Sequence, residues 1–342
     1  MRICVTGATG FIGYLLTERL AEVGHEVVGL DLVPPQPNQR IERFVHGDIR
    51  DPKAVRAALD GCGAVFSLAA AHHDFGIDEP TYFSVNQHGS TLICEEADRA
   101  GIKRICWYSS CAVYGYCPPP RSETSVPRPA GPYGASKLAG EQVFRAWVGR
   151  GEGRSALIIR PTITFGPGNL ANMYSLIRQV ASGRFVIASP ATNRKSLSYV
   201  ENLLDATMFL WDKEYPGIEI FNFVEKPDLT SREIAASVAS ALGRTRAGIT
   251  LPMPVVLALA LPFDAITALT GRDLGVSTMR VRKLFSQETV FEADKLATSG
   301  FRSPVPLGEG IGRMVRWWLE AGRSQEPKWR QPPSEVQQYR QQ

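Results

Sequence analysis

The stretch RICVTGATGFIG, residues 2–13, decides how this chain is read. RICV suits a buried strand, and FIGYLLTERLAEVG after it carries helical periodicity as far as Gly24. Three glycines lie between and just inside these elements, each with its own use. Gly7 permits the tight turn out of the strand, Gly10 lets backbone approach a pyrophosphate, and Gly13 lets the helix pack close to the sheet. An anion held there meets free N–H groups and the positive end of the helix dipole. A glycine-rich run alone is weak, but set between a strand and a helix it predicts a dinucleotide site.

Outward from this turn the same alternation repeats. HEVVGLD is a second strand closing on Asp31, an acid placed to accept hydrogen bonds from an adenosine ribose and to repel a 2′-phosphate. That favours NAD over NADP, with a strand-end turn as the plainer role. HGDIRD follows a third short strand and sets Asp48 and Ile49 beside the adenine or simply in a turn. AVRAALDGC is a helix and AVFSLAA a strand, after which Ala69, Ala70 and Ala71 are small enough for backbone to pass close to a cofactor or to pack plainly. STLICEEADRAGI is a helix, RICWYSS a strand, a helix runs from Tyr133 to about Arg150, and SALIIRP is a further strand.

The pattern predicts an α/β fold: a Rossmann-like doubly wound parallel sheet with a smaller C-terminal α/β substrate lobe. Residues 1–165 form the NAD-binding domain, and 200–242, with the strand EIFNFV and the helix SREIAASVASALG, rejoin it. Residues 166–199, with the helix MYSLIRQVASG, and 243–322 make the lobe. The polar segment 323–342 is expected to be poorly ordered.

Composition narrows the function. The chain has 342 residues and a formal charge of +4, without a Lys/Arg-rich run that would track a phosphate backbone, so nucleic acid is not an expected partner. Six cysteines, Cys4, Cys62, Cys94, Cys106, Cys111 and Cys117, follow no metal-ligand or disulfide spacing and read as reduced core thiols of a cytoplasmic protein. No secretory signal is expected, because MRICVTG enters a strand at once. The most lipid-like stretch, PVVLALALPFDAITALTG at 254–271, is broken by Pro262 and Asp264 and falls short of a bilayer span. It reads as two short apolar helices packed in the lobe, with a membrane-facing or lipid-accepting surface as the lesser reading.

GPYGASKLAG, residues 131–140, puts Tyr133 and Lys137 four apart on one helix face, either as catalytic machinery or as ordinary surface. The ordered set TGATGFIG, GDIRD, VNQHGS, YSSCAVYG, YGASKLAGE, IIRPTITFGPGN and SYVENLLDA covers most of residues 1–210. Through it the chain resembles the extended short-chain dehydrogenase/reductase family, in particular its NAD-dependent nucleotide-sugar epimerase/dehydratase branch. The resemblance implies that Tyr133 is the acid/base, Lys137 its electrostatic partner and Ser110 the third member of the set; Ser109 competes, but spacing to VYG favours Ser110. The chemistry agrees, because a phenol of pKa about 10 needs a nearby cation to act as a base at neutral pH.

The same resemblance places the cofactor against Gly7, Thr9, Gly10, Phe11, Ile12, Gly13, Asp31, Leu32, Asp48, Ile49, Leu68, Ala69, Ala70, Ser109, Tyr133, Lys137 and Pro161. Substrate contacts fall to Ser110, Asn169, Lys195, His72, Arg280 and Arg282. Here Lys195 stands where relatives often carry arginine near the diphosphate, Asn169 has a turn role as its alternative, and the two arginines have solvated strand charge as theirs. His73 adjoins His72, and Asn86 is taken as structural. No metal is expected.

The leading expectation is a UDP-linked sugar 4-epimerase working through a 4-keto intermediate. A ketosugar reductase or a 3-hydroxysteroid or lipid dehydrogenase of the same family is the alternative, and a non-catalytic binding protein the reading from another class. A 4,6-dehydratase is disfavoured, since Cys111 occupies the place of the acid it needs. The resemblance also implies a homodimer, with STLICEEADRA and ASKLAGEQVFRAWV as candidate interface helices.

Overall fold

A computed structural model of the chain describes residues 1–72, 76–270, 276–326 and 332–336. Its strands are β1 (Arg2–Thr6), β2 (Glu26–Asp31), β3 (Arg43–His46), β4 (Ala64–Ser67), β5 (Arg104–Tyr108), β6 (Ser155–Pro161), β7 (Ile163–Phe165), β8 (Val186–Ser189), β9 (Arg194–Lys195), β10 (Leu197–Tyr199), β11 (Gly217–Phe223), β12 (Leu229–Thr230) and β13 (Ile249–Pro252). The helices are α1 (Phe11–Glu22), α2 (Pro52–Leu59), α3 (Glu79–Phe83), α4 (Gly89–Arg99), α5 (Pro132–Gly149), α6 (Asn172–Ala181), α7 (Val200–Trp211), α8 (Ser231–Ala241), α9 (Met253–Thr270), α10 (Thr278–Phe285), α11 (Asp294–Thr298) and α12 (Leu307–Glu320). A π-helical turn (Ser84–His88) joins α3 to α4, and a 3₁₀ turn (Cys111–Val113) follows β5.

Seven strands form one parallel sheet in the order β11-β6-β5-β4-β1-β2-β3. Apolar side chains on both faces explain the order, because a parallel sheet is stable only when helices cover each side. Cys4, Val28 and Val65 lie in the core on one face, and Ile3, Val5 and Phe66 in the core on the other. Chain order reverses between β1 and β4, so a crevice opens beyond the carboxyl ends of those two strands. Local chemistry sets the helix starts: the Asp51 side chain accepts from Lys53 N with Pro52 next to it, and Thr230 with Glu233 builds a reciprocal cap on α8. Each such cap contributes about 1 kcal/mol.

Four expectations change. Strand β11 joins the sheet beside β6, but α8 does not follow it there. Ile234, Ala235 and Val238 pack with Tyr174, Ile311 and Met314 in a second core, because the apolar face of α8 meets α6 and α12. Residues 254–271 do not form two short helices packed in the lobe: α9 is continuous through Pro262 and mostly exposed. Proline removes one backbone bond, and the Asp264 carboxylate is satisfied by Thr278, so neither residue ends the helix. RVRKLF is helical in α10 rather than a strand. Within the tail, the carbonyls of Pro333 and Ser334 accept from the Arg50 guanidinium at 2.7 and 3.3 Å, which fixes that part of it.

Candidate active site

The glycine-rich turn leaves no room for side chains. Gly7 has φ +69°, and a Cβ there would lie 2.7 Å from Ala69 N; a Cβ on Gly13 would lie 2.0 Å from the Gly7 carbonyl oxygen. The turn is therefore pressed against Leu68 and Ala69 beyond β4, where Thr6 accepts from both backbone N–H groups. Helix α1 begins at Gly10 with no side-chain cap and no acid in its first turn, so its N–H groups are open to an anion. Phe11 and Ile12 stand in that first turn, half-buried against the core. The Gly166–Asn169 loop covers it, since a Cβ on Gly168 would touch Phe11 at 4.0 Å.

Asp31, at the end of β2, accepts from Thr9 N at 3.0 Å and Val33 N at 3.2 Å. Burial pushes its carboxyl above the usual carboxylate value, and these N–H bonds oppose the rise. Leu32 next to it gives its carbonyl to His46 at 2.9 Å. Asp48 has the turn role, accepting from Arg50 N at 2.9 Å, and its carboxylate is also bound to the Arg50 guanidinium at 2.6–3.1 Å in a fully buried ion pair. The charge is thus neutralised within the protein, and Arg50 went unnoticed in the sequence. Ile49 buries its side chain against Gly89 at the start of α4.

At the other strand ends, β5 runs into Ser109 and Ser110. The Ser109 hydroxyl donates to Glu141 at 2.6 Å, while Ser110 caps the 3₁₀ turn by accepting from Ala112 N at 3.1 Å. A hydroxyl that accepts still has its proton to donate, so Ser110 keeps a donor for a ligand and Ser109 has spent its own. Pro161 closes β6, buried beside this turn's anchor Arg160, whose carbonyl accepts from the Cys111 thiol.

Helix α5 carries Tyr133 in its first turn and Lys137 one turn later. Gly134 fixes where that turn lies, because a Cβ there would sit 2.5 Å from the Ala112 carbonyl oxygen. The first turn of α5 is thus packed on the turn that Ser110 caps, and the Tyr133 ring lies 6.2 Å from that of Tyr82. Lys137 is buried, with Nζ 4.3 Å from the Trp107 ring centroid, and burial pulls its pKa down to about 7 against the opposing pull of Glu141. Asn86 ties α5 to the cofactor side: its amide donates to Ser136 and Ala71 at 2.9 Å and accepts from Ala71 N at 3.0 Å.

Behind this face runs a buried network that sequence reading missed. Glu141 is gripped by Arg160 at 2.7 and 2.5 Å, Arg160 donates to the Tyr114 hydroxyl at 2.7 Å, and Tyr114 donates to Asn222 at 2.8 Å. Glu141 lies four residues after Lys137, so helical spacing was the signal that could have found it.

The substrate candidates differ in how their polar groups are engaged within the protein. Lys195 is corrected to a structural cation: it is buried, its ammonium donates to the carbonyls of Lys283 and Gln287 at 2.8 and 2.5 Å, and burial lowers its pKa to about 8. Asn169 accepts from Ala171 N at 2.9 Å, the turn role. Arg280 and Arg282 sit on α10, packed on α9 and β8. His72 is exposed with its ring 3.3 Å from the Ala70 carbonyl, and His73 lies outside the described residues. All six cysteines are buried free thiols, and the described residues hold no cluster that would ligate a metal.

The profile of the NAD dependent epimerase/dehydratase family matches residues 3–222. The chain belongs to that family. Its cofactor is NAD, and the bare glycine turn, the uncapped start of α1 and the acid at the end of β2 suit that dinucleotide. Over 316 residues the chain is 34% identical to the N-acetyl-alpha-D-glucosaminyl-diphospho-ditrans,octacis-undecaprenol 4-epimerase of Escherichia coli O157:H7, covering 92% of this chain and 94% of the relative. It is 27% identical to the UDP-glucose 4-epimerase of Vibrio cholerae over 93% of this chain and 96% of the relative. Among solved structures, the UDP-glucose 4-epimerase of Thermotoga maritima has the same fold, with TM-score 0.76 at 21% identity over 94% of this chain and 99% of that one.

Proposed function

We propose that the protein is a 4-epimerase of a diphosphate-linked sugar, with Tyr133, Lys137 and Ser110 as its catalytic residues. One observation supports the reading: the first turn of α5, which carries Tyr133, packs its backbone on the turn that Ser110 caps at the carboxyl end of β5. When bound, NAD supplies reversible hydride acceptance. Tyr133 removes the proton of the C4 hydroxyl and later returns it to the new one. Lys137 holds the phenol toward phenolate, and Ser110 donates to the reacting oxygen throughout. The glycine turn and α1 hold the pyrophosphate, and Asp31 takes the ribose.

The nucleotide-linked substrate is the first reading, and a homodimer through α4 and α5 belongs with it. A sugar on a polyprenyl diphosphate is the second, supported by the higher identity to the undecaprenol-linked relative and by an exposed apolar helix in the lobe. Incubating purified protein with UDP-N-acetylglucosamine, without added cofactor, tests the reaction class. Appearance of the C4 epimer is expected; stoichiometric NADH formation would instead establish a net dehydrogenase. The same sugar on a polyprenyl diphosphate, run alongside, ranks the two carriers.

A further inference from the structure

Helix α9 leaves an apolar row uncovered, unlike an ordinary surface helix. Val255, Leu259, Phe263, Ile266 and Leu269 recur every three or four residues and so form one row, which faces outward with exposures of 43, 57, 38, 44 and 87%. Leu261 beside it is 60% exposed. On the opposite row Val256 and Ala260 are buried, and the carboxylate of Asp264 accepts from the Thr278 backbone at 3.2 Å and its hydroxyl at 2.6 Å. An ordinary surface helix turns its charge to water and its apolar row to the core. Here the one charge is half-buried beside the covered row, and apolar side chains line the outer row as well as the inner.

The arrangement is a hairpin fixed at both limbs to one lobe. Its first limb leaves β13, which pairs with β8, and its second, α10, packs back on both α9 and β8. Three side chains of the lobe fasten the end of α10. Lys195 holds the carbonyls of Lys283 and Gln287, Asn193 those of Leu284 and Gln287 at 2.9 and 3.0 Å, and Ser231 that of Leu284 at 2.6 Å. Helix α9 is 18 residues, roughly 27 Å long. By length and composition it could cross a membrane, but its return limb is bonded to it at Asp264 and both limbs are tied to the lobe, which favours lying along a surface.

Charge selects the occupant. Residues 253–286 carry Arg272, Arg280, Arg282 and Lys283 against Asp264 and Asp273, and Asp264 is bonded inward. Arg282 and Lys283 are exposed on α10, the helix packed against α9. A second copy docking through this face about a two-fold axis would set like charge against like. An anionic phospholipid surface offers both an apolar layer and the complementary sign.

We infer that the α9–α10 hairpin lies in the plane of an anionic phospholipid membrane, with Leu259, Leu261, Ile266 and Leu269 in its acyl boundary. The inference rests on the lipid-diphosphate reading for its purpose, since such a substrate is held at that surface, and on geometry for its placement.

Co-sedimentation of the full chain with phosphatidylcholine vesicles containing about a quarter phosphatidylglycerol tests it, with pure phosphatidylcholine vesicles in parallel. Binding is expected on the anionic vesicles, weaker on the neutral ones and weakened by salt. Leu261→Glu with Leu269→Glu should lower vesicle affinity at least about 10-fold while turnover of the water-soluble UDP-sugar is unchanged. If the double variant loses NAD binding, and so its fold, Leu269→Glu alone at the exposed tip gives the same readout. Wild-type protein that ignores anionic vesicles overturns the inference, as does a variant that binds as well as wild type, or a solution dimer that these substitutions dissociate. Vesicle binding by a protein that turns over no sugar supports the docking and defeats the epimerase reading.

Discussion

In the proposed reaction three side chains carry the chemistry, and their surroundings set how each behaves. Tyr133→Phe should leave NAD binding intact and lower kcat by about 100- to 10,000-fold, the usual worth of a positioned proton transfer; a steady-state assay beside a cofactor titration checks this. Lys137 gives a second handle. Burial moves its pKa from 10.5 to about 7, so between those values the unfolded chain holds a proton that the folded chain has released. Its burial penalty is full below pH 7 and is relieved as pH rises, so the chain without NAD should gain stability through that window. Lys137→Met should flatten this slope relative to wild type in denaturant titrations across the window, and an unchanged slope would show that the lysine is not buried as described. Ser109 and Ser110 show what a sequence can and cannot say about such residues. Spacing favoured Ser110, but only the bond from Ser109 to Glu141 explains why the neighbour is unsuited.

At the scale of elements, α5 is positioned by what its small residues allow. Gly134→Val would drive a side chain into the backbone at Ala112, which has no flexible end to move aside. The first turn should lift from the Ser110 turn, so kcat should fall more than 10-fold while NAD affinity changes little, as activity and fluorescence titrations would register. The Glu141–Arg160 pair braces the same helix from behind. Glu141→Gln leaves the Arg160 guanidinium buried without its counter-charge and should cost about 3–5 kcal/mol of stability, measurable by urea denaturation. The strands, α1 and α5 were legible because hydrophobic period and glycine position are local signals. The outward face of α9 stood only as the lesser reading, because its composition is that of a core helix and packing alone shows which row is covered. Lys195 was misread for a related reason: its charge suggested phosphate, while its burial and the end of α10 give it carbonyl oxygens to hold.

Over the whole molecule, the sheet places a dinucleotide cleft at the reversal of strand order, and the lobe built on the second core places the α9–α10 hairpin. Pattern in the first half of the chain predicted the sheet almost strand by strand. The lobe was harder, since β7 to β10 are short and its core is assembled from α6, α8 and α12, far apart in sequence. The central claim is that Tyr133 and its partners oxidise and restore one sugar carbon without exchanging its hydrogen with water. Epimerising the sugar in D₂O and reading the product by NMR or mass spectrometry tests this most directly. The account predicts protium retained at C4 of the epimer and no net NADH; solvent deuterium at C4 would contradict it.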